Sequence, residues 1–272
     1  MALRTRYWQD LTWPEFEALP KDTVAVLQTG AMEQHGPHLP VSVDATINEG
    51  VLARALSLLD PEVPALVLPI QKVGCSVEHL RFPGTITSTP ETLIALWTEI
   101  GESVARAGVK KLLFLNSHGG QPQIIDIVCR RLRIRESMFC VNAQWSRLGK
   151  PEGLVDSLEG RYGIHAGYVE TSLMLALDPA NCKPELARDF RNRWIGLENQ
   201  FATLTPEGTM GFGWQAQDLH PAGAVGDASR ATAEDGEKFL AFAGEKVAGL
   251  IRDMAKFDLD SWLIQQRDQH GS

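Results

Sequence analysis

Glu33, His35 and His38 share one short stretch of chain, and Asp44 follows a few residues on. Carboxylate and imidazole donors so close together suit Zn²⁺ or Mn²⁺, because Cu(I) wants sulfur and Mg²⁺ prefers oxygen and water. A second group, Asn116-Ser117-His118-Gly119-Gly120, ends an apolar run, and its glycines would let backbone approach a ligand closely. A third runs from His165 to Ser172, where an imidazole and the Glu170 carboxylate bracket the start of a helical pattern. Taken singly, each group also has an ordinary reading. The first would be polar loop residues, the second a structural turn histidine, and the third a helix-capping charge beside a surface histidine.

The elements around these groups decide whether they meet. Val24-Ala25-Val26-Leu27 is a short, β-rich apolar run ending at Thr29-Gly30, so it predicts a buried strand that empties into the Glu33 loop. Helical periodicity from Ala45 to Leu59 places Asp44 at or near a helix start, and a strand is expected from Leu66 to Ile70. After a polar loop from Lys72 to Ser88, Thr89-Pro90-Glu91 has the cap, proline and acid that open a helix, here one reaching about Ala107. Lys111 to Asn116 reads as a buried strand whose exit turn holds His118; a helix from Gln123 to Arg135 and a strand from Met138 to Asn142 follow. Thr12-Trp13-Pro14-Glu15 is a further helix start, and Tyr168 to Leu177 a further helix. The stretch Thr203 to Ala228, rich in Gly, Pro and Asp, is expected to be one long loop, a lid or an oligomer contact. An amphipathic helix from Ala233 to Phe257 closes the pattern.

Strands alternating with helices imply an α/β fold: a single domain over 1–272 with a mostly parallel sheet sandwiched between helices. Ligand sites in such sheets lie beyond the carboxyl ends of the strands, where the Glu33 and His118 groups fall. With 44% apolar and 22% charged residues, the chain can bury a core without a structural metal, which leaves any metal free for chemistry. A formal charge of −8, with no basic run longer than Arg130-Arg131, argues against nucleic acid as a partner. There is no apolar stretch long enough to span a bilayer and no signal-like apolar core near the N-terminus, so no membrane role is expected. Cys75, Cys129, Cys140 and Cys182 are scattered, without C-x-x-C spacing, and read as free thiols of a reducing, cytoplasmic environment.

Together the groups resemble the creatininase (creatinine amidohydrolase) family. The resemblance rests on Gly30-Ala31-Met32-Glu33-Gln34-His35-Gly36 with Asp44, Phe82-Pro83-Gly84-Thr85, Asn116 to Gly120, and Glu170-Thr171-Ser172-Leu173, over residues 10 to about 180. It implies two divalent ions, Zn or Mn. Glu33, Asp44 and His118 would hold one, His35 and Asp44 the second, with Asp44 bridging. It also implies that His165 handles the proton of a leaving nitrogen, that Trp145 matches a substrate-covering tryptophan, and that the chain forms a homo-oligomer, commonly a hexamer. Creatininase has a tyrosine and a ligating glutamate directly after the turn histidine, where this chain has Gly119 and Gly120. Glu170 is therefore the candidate replacement ligand.

The expected reaction is hydrolysis of a C–N bond in a small, cyclic amide or a formamide by a hydroxide bridging the ions, with His165 and Glu170 as catalytic groups. Glu78, His79, Trp145 and Arg161 are the expected substrate contacts; an arginine there suits an anionic or more polar ligand than creatinine. His38 could orient a ligand, and His220 could belong to a lid. Two alternatives stand beside this reading: hydrolytic C–C opening of a cyclic ketone by the same site, and a metal-binding scaffold without turnover.

Overall fold

The computed structural model describes residues 2–206 and 210–262. After a short helix α1 (Trp13–Glu17), capped by reciprocal bonds between Thr12 and Glu15, the chain enters β1 (Val24–Thr29), all six of whose residues are buried. The elements that follow are α2 (Val43–Ser57), β2 (Ala65–Val67), α3 (Pro90–Arg106), β3 (Lys111–Asn116), α4 (Pro122–Glu136) and β4 (Phe139–Gln144). The four strands make one parallel sheet in the order β2-β1-β3-β4.

Period-two alternation divides the strands' apolar side chains between two layers of helix. Val24, Val26, Leu113 and Leu115 face a core shared with α2 and two later helices, α6 (Tyr168–Leu177) and α8 (Ala233–Lys256). Ala25, Leu27, Leu112 and Phe114 face the other core, built with α3 and α4 around the fully buried Trp97. Each such aliphatic side chain contributes about 2 kcal/mol by leaving water, so burial on both faces fixes the sheet. The chain leaves β1 toward β2 on one side and later returns to β3 on the other. Between the carboxyl ends of β1 and β3, where Thr29 pairs with Asn116, the topology therefore opens a crevice.

The expected elements are present, with differences of physical origin. Strand β2 stops at Val67 because Pro69 has no N–H to give the ladder; Leu68 and Gln71 still bond individually to Val26 and Gln28. Strand β4 runs two residues beyond Asn142 so that Gln144 pairs with Asn116. A short helix α5 (Ser157–Tyr162) precedes α6 and was not foreseen. The stretch expected as one long loop instead holds helix α7 (Ala216–Leu219) and a strand β6 (Gly226–Asp227), which pairs antiparallel with β5 (Asp189–Phe190). Positions 207–209 of that stretch lie outside the described residues. Among the described residues no helix is long and apolar enough to cross a membrane.

Candidate metal centre

The crevice gathers side chains from four places: the loop after β1, the first turn of α2, the turn after β3 and the segment entering α6. Glu33 lies at the middle, with Oε2 3.2 Å from His118 Nδ1 and Oε1 3.4 Å from His79 Nε2 and 3.7 Å from His165 Nδ1. Asp44 brings Oδ2 to 3.5 Å from the same His118 nitrogen and Oδ1 to 3.9 Å from His35 Nε2. Glu170 Oε2 lies 3.8 Å from His35 Nε2 on the other side. Donor atoms converge to ligand spacing in three trios: Glu33 with His35 and Asp44, His35 with His165 and Glu170, and Glu33 with His79 and His165. His79 and His165, expected at the substrate and in proton transfer, thus also stand within reach of a cation.

Hydrogen bonds fix which nitrogen each ring offers. His35 Nδ1 donates to the Glu33 carbonyl at 3.0 Å, so Nε2 faces the centre with its lone pair. His118 Nε2 donates to the Cys75 carbonyl at 2.8 Å and turns Nδ1 toward the carboxylates. His165 Nε2 donates to the Gln34 carbonyl at 2.8 Å and likewise leaves Nδ1 inward. The Gln34 amide nitrogen donates to His79 Nδ1 at 2.8 Å and to the Gly223 carbonyl at 2.9 Å, while its oxygen accepts from the Gly36 amide. Buried Asn116 holds the His118 turn at both backbone atoms, and Gln121 braces Asn116 at 2.9 Å. Gln34, Asn48 and Gln121, to which the sequence assigns no role, are all buried amides without charge. Apart from their position beside candidate ligands, nothing in the sequence singles them out.

Another residue to which the sequence assigns no role is Glu159, a buried carboxylate on α5. Its oxygens accept from the Tyr168 amide at 2.8 Å, at the start of α6, and from the Asp227 amide at 2.9 Å in β6. A Cβ at Gly163, Gly167 or Gly226 would lie within 2.2–2.7 Å of a Glu159 oxygen, so three glycines make room for this one group. It ties the start of α6, between His165 and Glu170 in sequence, to β6. Just after His165, Ala166 adopts φ 54°, unusual for a residue with a Cβ, and its amide donates to Glu170 Oε2 at 2.6 Å.

The electrostatics are those of a site made for cations. Burial, then Glu33, raises the Asp44 carboxyl to about 7; burial, then Asp44, raises Glu170 to about 8. Burial opposes the charge on Glu33, but His118, His79 and His35 hold it well below the usual carboxylate range. Burial also opposes a charge on His118, yet Glu33 and Asp44 raise it well above the ordinary histidine value. Burial depresses His35 to about 4, and burial with His35 and His79 as neighbours holds His165 well below normal, so both rings are neutral. Glu33 Oε2, His35 Nε2 and Asp44 Oδ2 are buried without a hydrogen-bond partner. Orphaned buried donors and acceptors are costly, and three aimed at one place fit a metal ion. All the donors are nitrogen or oxygen, the set that suits zinc or manganese.

A cavity of about 440 Å³ opens beside the centre, lined by Glu33, Asp44, His118, His165 and Glu170, with His35 buried behind them. Glu78, His79, Trp145 and Arg161 are among the other residues that line it. Gly120 has a particular reason to be glycine: a Cβ there would lie 2.2 Å from Glu78 Oε1 and 2.6 Å from His118 Nε2, in space the Glu78 carboxylate now occupies. His38 stays outside the cavity and bonds Thr171 Oγ1, next to Glu170, at 2.9 Å. His220 packs edge-on against Phe190 of β5 and accepts from the Ala222 amide.

A family profile for creatininase, described as creatinine amidohydrolase, matches residues 9–251. The chain belongs to the creatininase family. The match runs past the 10–180 stretch that carries the resemblance and takes in most of α8. Over 241 residues this creatininase-family chain is 33% identical to a mycofactocin precursor peptide peptidase of Mycobacterium tuberculosis, covering 86% of each. It is 29% identical over 268 residues to the creatinine amidohydrolase of Pseudomonas putida, covering 90% of this chain and 95% of that one. Identity to a 3-dehydro-scyllo-inosose hydrolase of Thermotoga maritima is 24% over 273 residues, covering 91% and 83%. A solved manganese form of creatininase aligns with TM-score 0.74 at 26% identity, over 93% of this chain and all of that one. A Zn-Zn form of a mutant creatininase aligns with TM-score 0.73 at 26%, over 94% and 100%. Members of the family are amidohydrolases, and the chain is a hydrolytic enzyme with a cluster of side chains able to bind metal.

Proposed function

We propose that this creatininase-family enzyme hydrolyses the C–N bond of a small amide, using two divalent ions, zinc or manganese. Glu33, Asp44 and His118 would hold one ion; His35, Asp44 and Glu170 would hold the other, Glu170 standing in for the carboxylate missing at Gly120. The observation that carries this reading is the convergence of the unpartnered Glu33 Oε2, His35 Nε2 and Asp44 Oδ2 beside a cavity of substrate size. The peptidase and amidohydrolase relatives, at 33% and 29% identity, favour an amide over the cyclic ketone chemistry that the sequence left open.

When bound, such ions bring the pKa of water toward about 7 and polarise a carbonyl oxygen. The protein's own groups do the rest. The neutral His165 ring, anchored through Nε2, takes the proton of the attacking water at Nδ1 and passes it to the leaving nitrogen. Ala166 holds the Glu170 carboxyl against the centre, and Trp145 closes one wall over a flat amide. Glu78 Oε1, 3.5 Å from His118 Nε2, is placed to accept from a substrate N–H. The four free thiols fit a reducing cytoplasm. Assembly into a homo-oligomer would cover exposed apolar side chains such as Leu80 and Ile86.

The test is to strip the protein with a chelator, restore zinc or manganese, and assay cyclic amides, formamides, short peptides and cyclic ketones. Calorimetry should show two equivalents of metal taken up, and only the restored sample should turn over an amide. Glu33→Ala and His118→Ala should lose metal. Full activity in the stripped protein, or no metal uptake, would overturn the reading.

A further inference from the structure

The cavity is not acidic throughout. Besides the carboxylates, Arg147 and Lys150 on the segment after β4 and Arg161 on α5 line the same space, as do Trp145, Ile164 and Trp214. Three cations lining one cavity run against the trend of a chain whose formal charge is −8. None of the three has an ion pair within 4 Å among the described residues, although Arg161 is close enough to Glu198 to help hold that carboxylate below its usual range. The Arg161 guanidinium instead stacks on its neighbour Tyr162, 5.0 Å from the ring centroid, which holds the planar fork in place.

These cations are not there to neutralise the metal centre. The leading influences on Glu33, Asp44 and Glu170 are burial, one another, the histidines, Glu78 and the Ala166 amide; no arginine or lysine is among them. The cavity thus has two chemically distinct sets of groups. One is a cluster of carboxylates and imidazoles that suits cations, the other a set of three basic side chains with no ion pair within 4 Å among the described residues, and two indoles line the same cavity. A long-range field from three like charges in a partly enclosed space attracts an anion, and a guanidinium binds carboxylate or phosphate oxygens in pairs.

We infer that Arg147, Lys150 and Arg161 form an anion subsite, which selects an amide carrying a carboxylate or phosphate at the end away from the scissile bond. The inference rests on the reading of the cavity as the substrate site of an amide hydrolase. A neutral, compact cyclic amide would leave these cations unused.

The experiment compares three probes on the zinc-loaded enzyme by calorimetry and in parallel by hydrolysis: N-acetylglycine, its neutral amide N-acetylglycinamide, and phosphorylated N-acetylethanolamine. An anionic probe should bind at least about tenfold more tightly than the neutral one, as a charge-assisted hydrogen bond provides. Which anionic probe binds better distinguishes a carboxylate from a phosphate source. The preference should shrink as salt rises and vanish in a variant combining Arg147→Ala, Lys150→Ala and Arg161→Ala. Equal binding of neutral and anionic probes would overturn the inference, as would the absence of anion binding at millimolar concentration. Survival of the preference in the triple variant would overturn it too, since the anion would then sit on the ions. An intact anion preference with no hydrolysis of any amide would uphold the subsite and count against the hydrolase reading instead.

Discussion

His165 reaches the centre as a neutral ring with one nitrogen committed. Its Nε2 proton belongs to the Gln34 carbonyl, so only Nδ1 is free to exchange a proton. Replacing His165 with alanine should lower kcat by about 10²–10⁴-fold while zinc content, measured by elemental analysis, stays at the native level. Because His165 also lies within ligand reach of Glu33 and Glu170, a loss of bound metal in that variant would instead make it a ligand. At this scale the sequence exposes residues that carry charge or an imidazole and hides those that orient them. Glu33, His35, Asp44 and His118 announce themselves by type. Gln34 sits between two of them in sequence, but its amide matters because it meets His79, 45 positions away, and the Gly223 carbonyl, 189 positions away. Nothing local to a glutamine encodes contacts at that distance.

Elements were legible where their pattern is long and illegible where they are held by contacts. Strands β1 and β3 are apolar runs closed by polar turns, and α6 and α8 have enough turns for periodicity to show. Helix α5 has six residues with Gly160 inside it, and β5 and β6 have two each, too short for any period. Contacts hold them instead: Asp156 caps α5, β5 pairs with β6, and Glu159 on α5 ties β6 to the start of α6. Glu159→Gln keeps the shape but puts an N–H where an acceptor faced a backbone amide, a loss of about 1.5–3 kcal/mol for a bond to a charged group. Urea unfolding should show that loss, and kcat should fall with it because the His165 and Glu170 turn is no longer pinned. Gly163→Ala should do the same through crowding against the carboxylate, by about 1–3 kcal/mol. Two variants as stable and as active as the native enzyme would show that the turn is positioned by something else.

Across the whole molecule, the charges of the centre couple folding to pH and to metal. Consider first the protein stripped of ions. Asp44 at about 7, Glu170 at about 8 and a raised His118 bind protons in the folded state that the unfolded chain, with carboxyls near 4 and histidines near 6.5, has already released. Their contribution is fully present below the unfolded values and is lost as pH rises through the folded ones. His35 and His38, each held at about 4 by burial, and the depressed His79 and His165 act in the opposite sense. The unfolded chain protonates them first, so they favour folding increasingly from about pH 4 to about 6.5 and add nothing further above that. Above about pH 6.5 only the first set still titrates, and every member of it destabilises as pH rises. The stripped enzyme should therefore be most stable near pH 6 to 6.5 and weaken toward pH 8.5, by about 1.4 kcal/mol per pH unit for each extra proton the native state holds. Divalent ions take the place of those protons. Zinc binding should release protons, measurable by calorimetry in buffers of different ionisation enthalpy, and tighten by about tenfold per pH unit for each proton displaced. With zinc or manganese present, the decline above pH 6.5 should flatten or reverse. Denaturant titrations at pH 6 and pH 8.5, with and without metal, decide the matter: equal stabilities in all four would mean that these carboxyls do not carry the protons assigned to them.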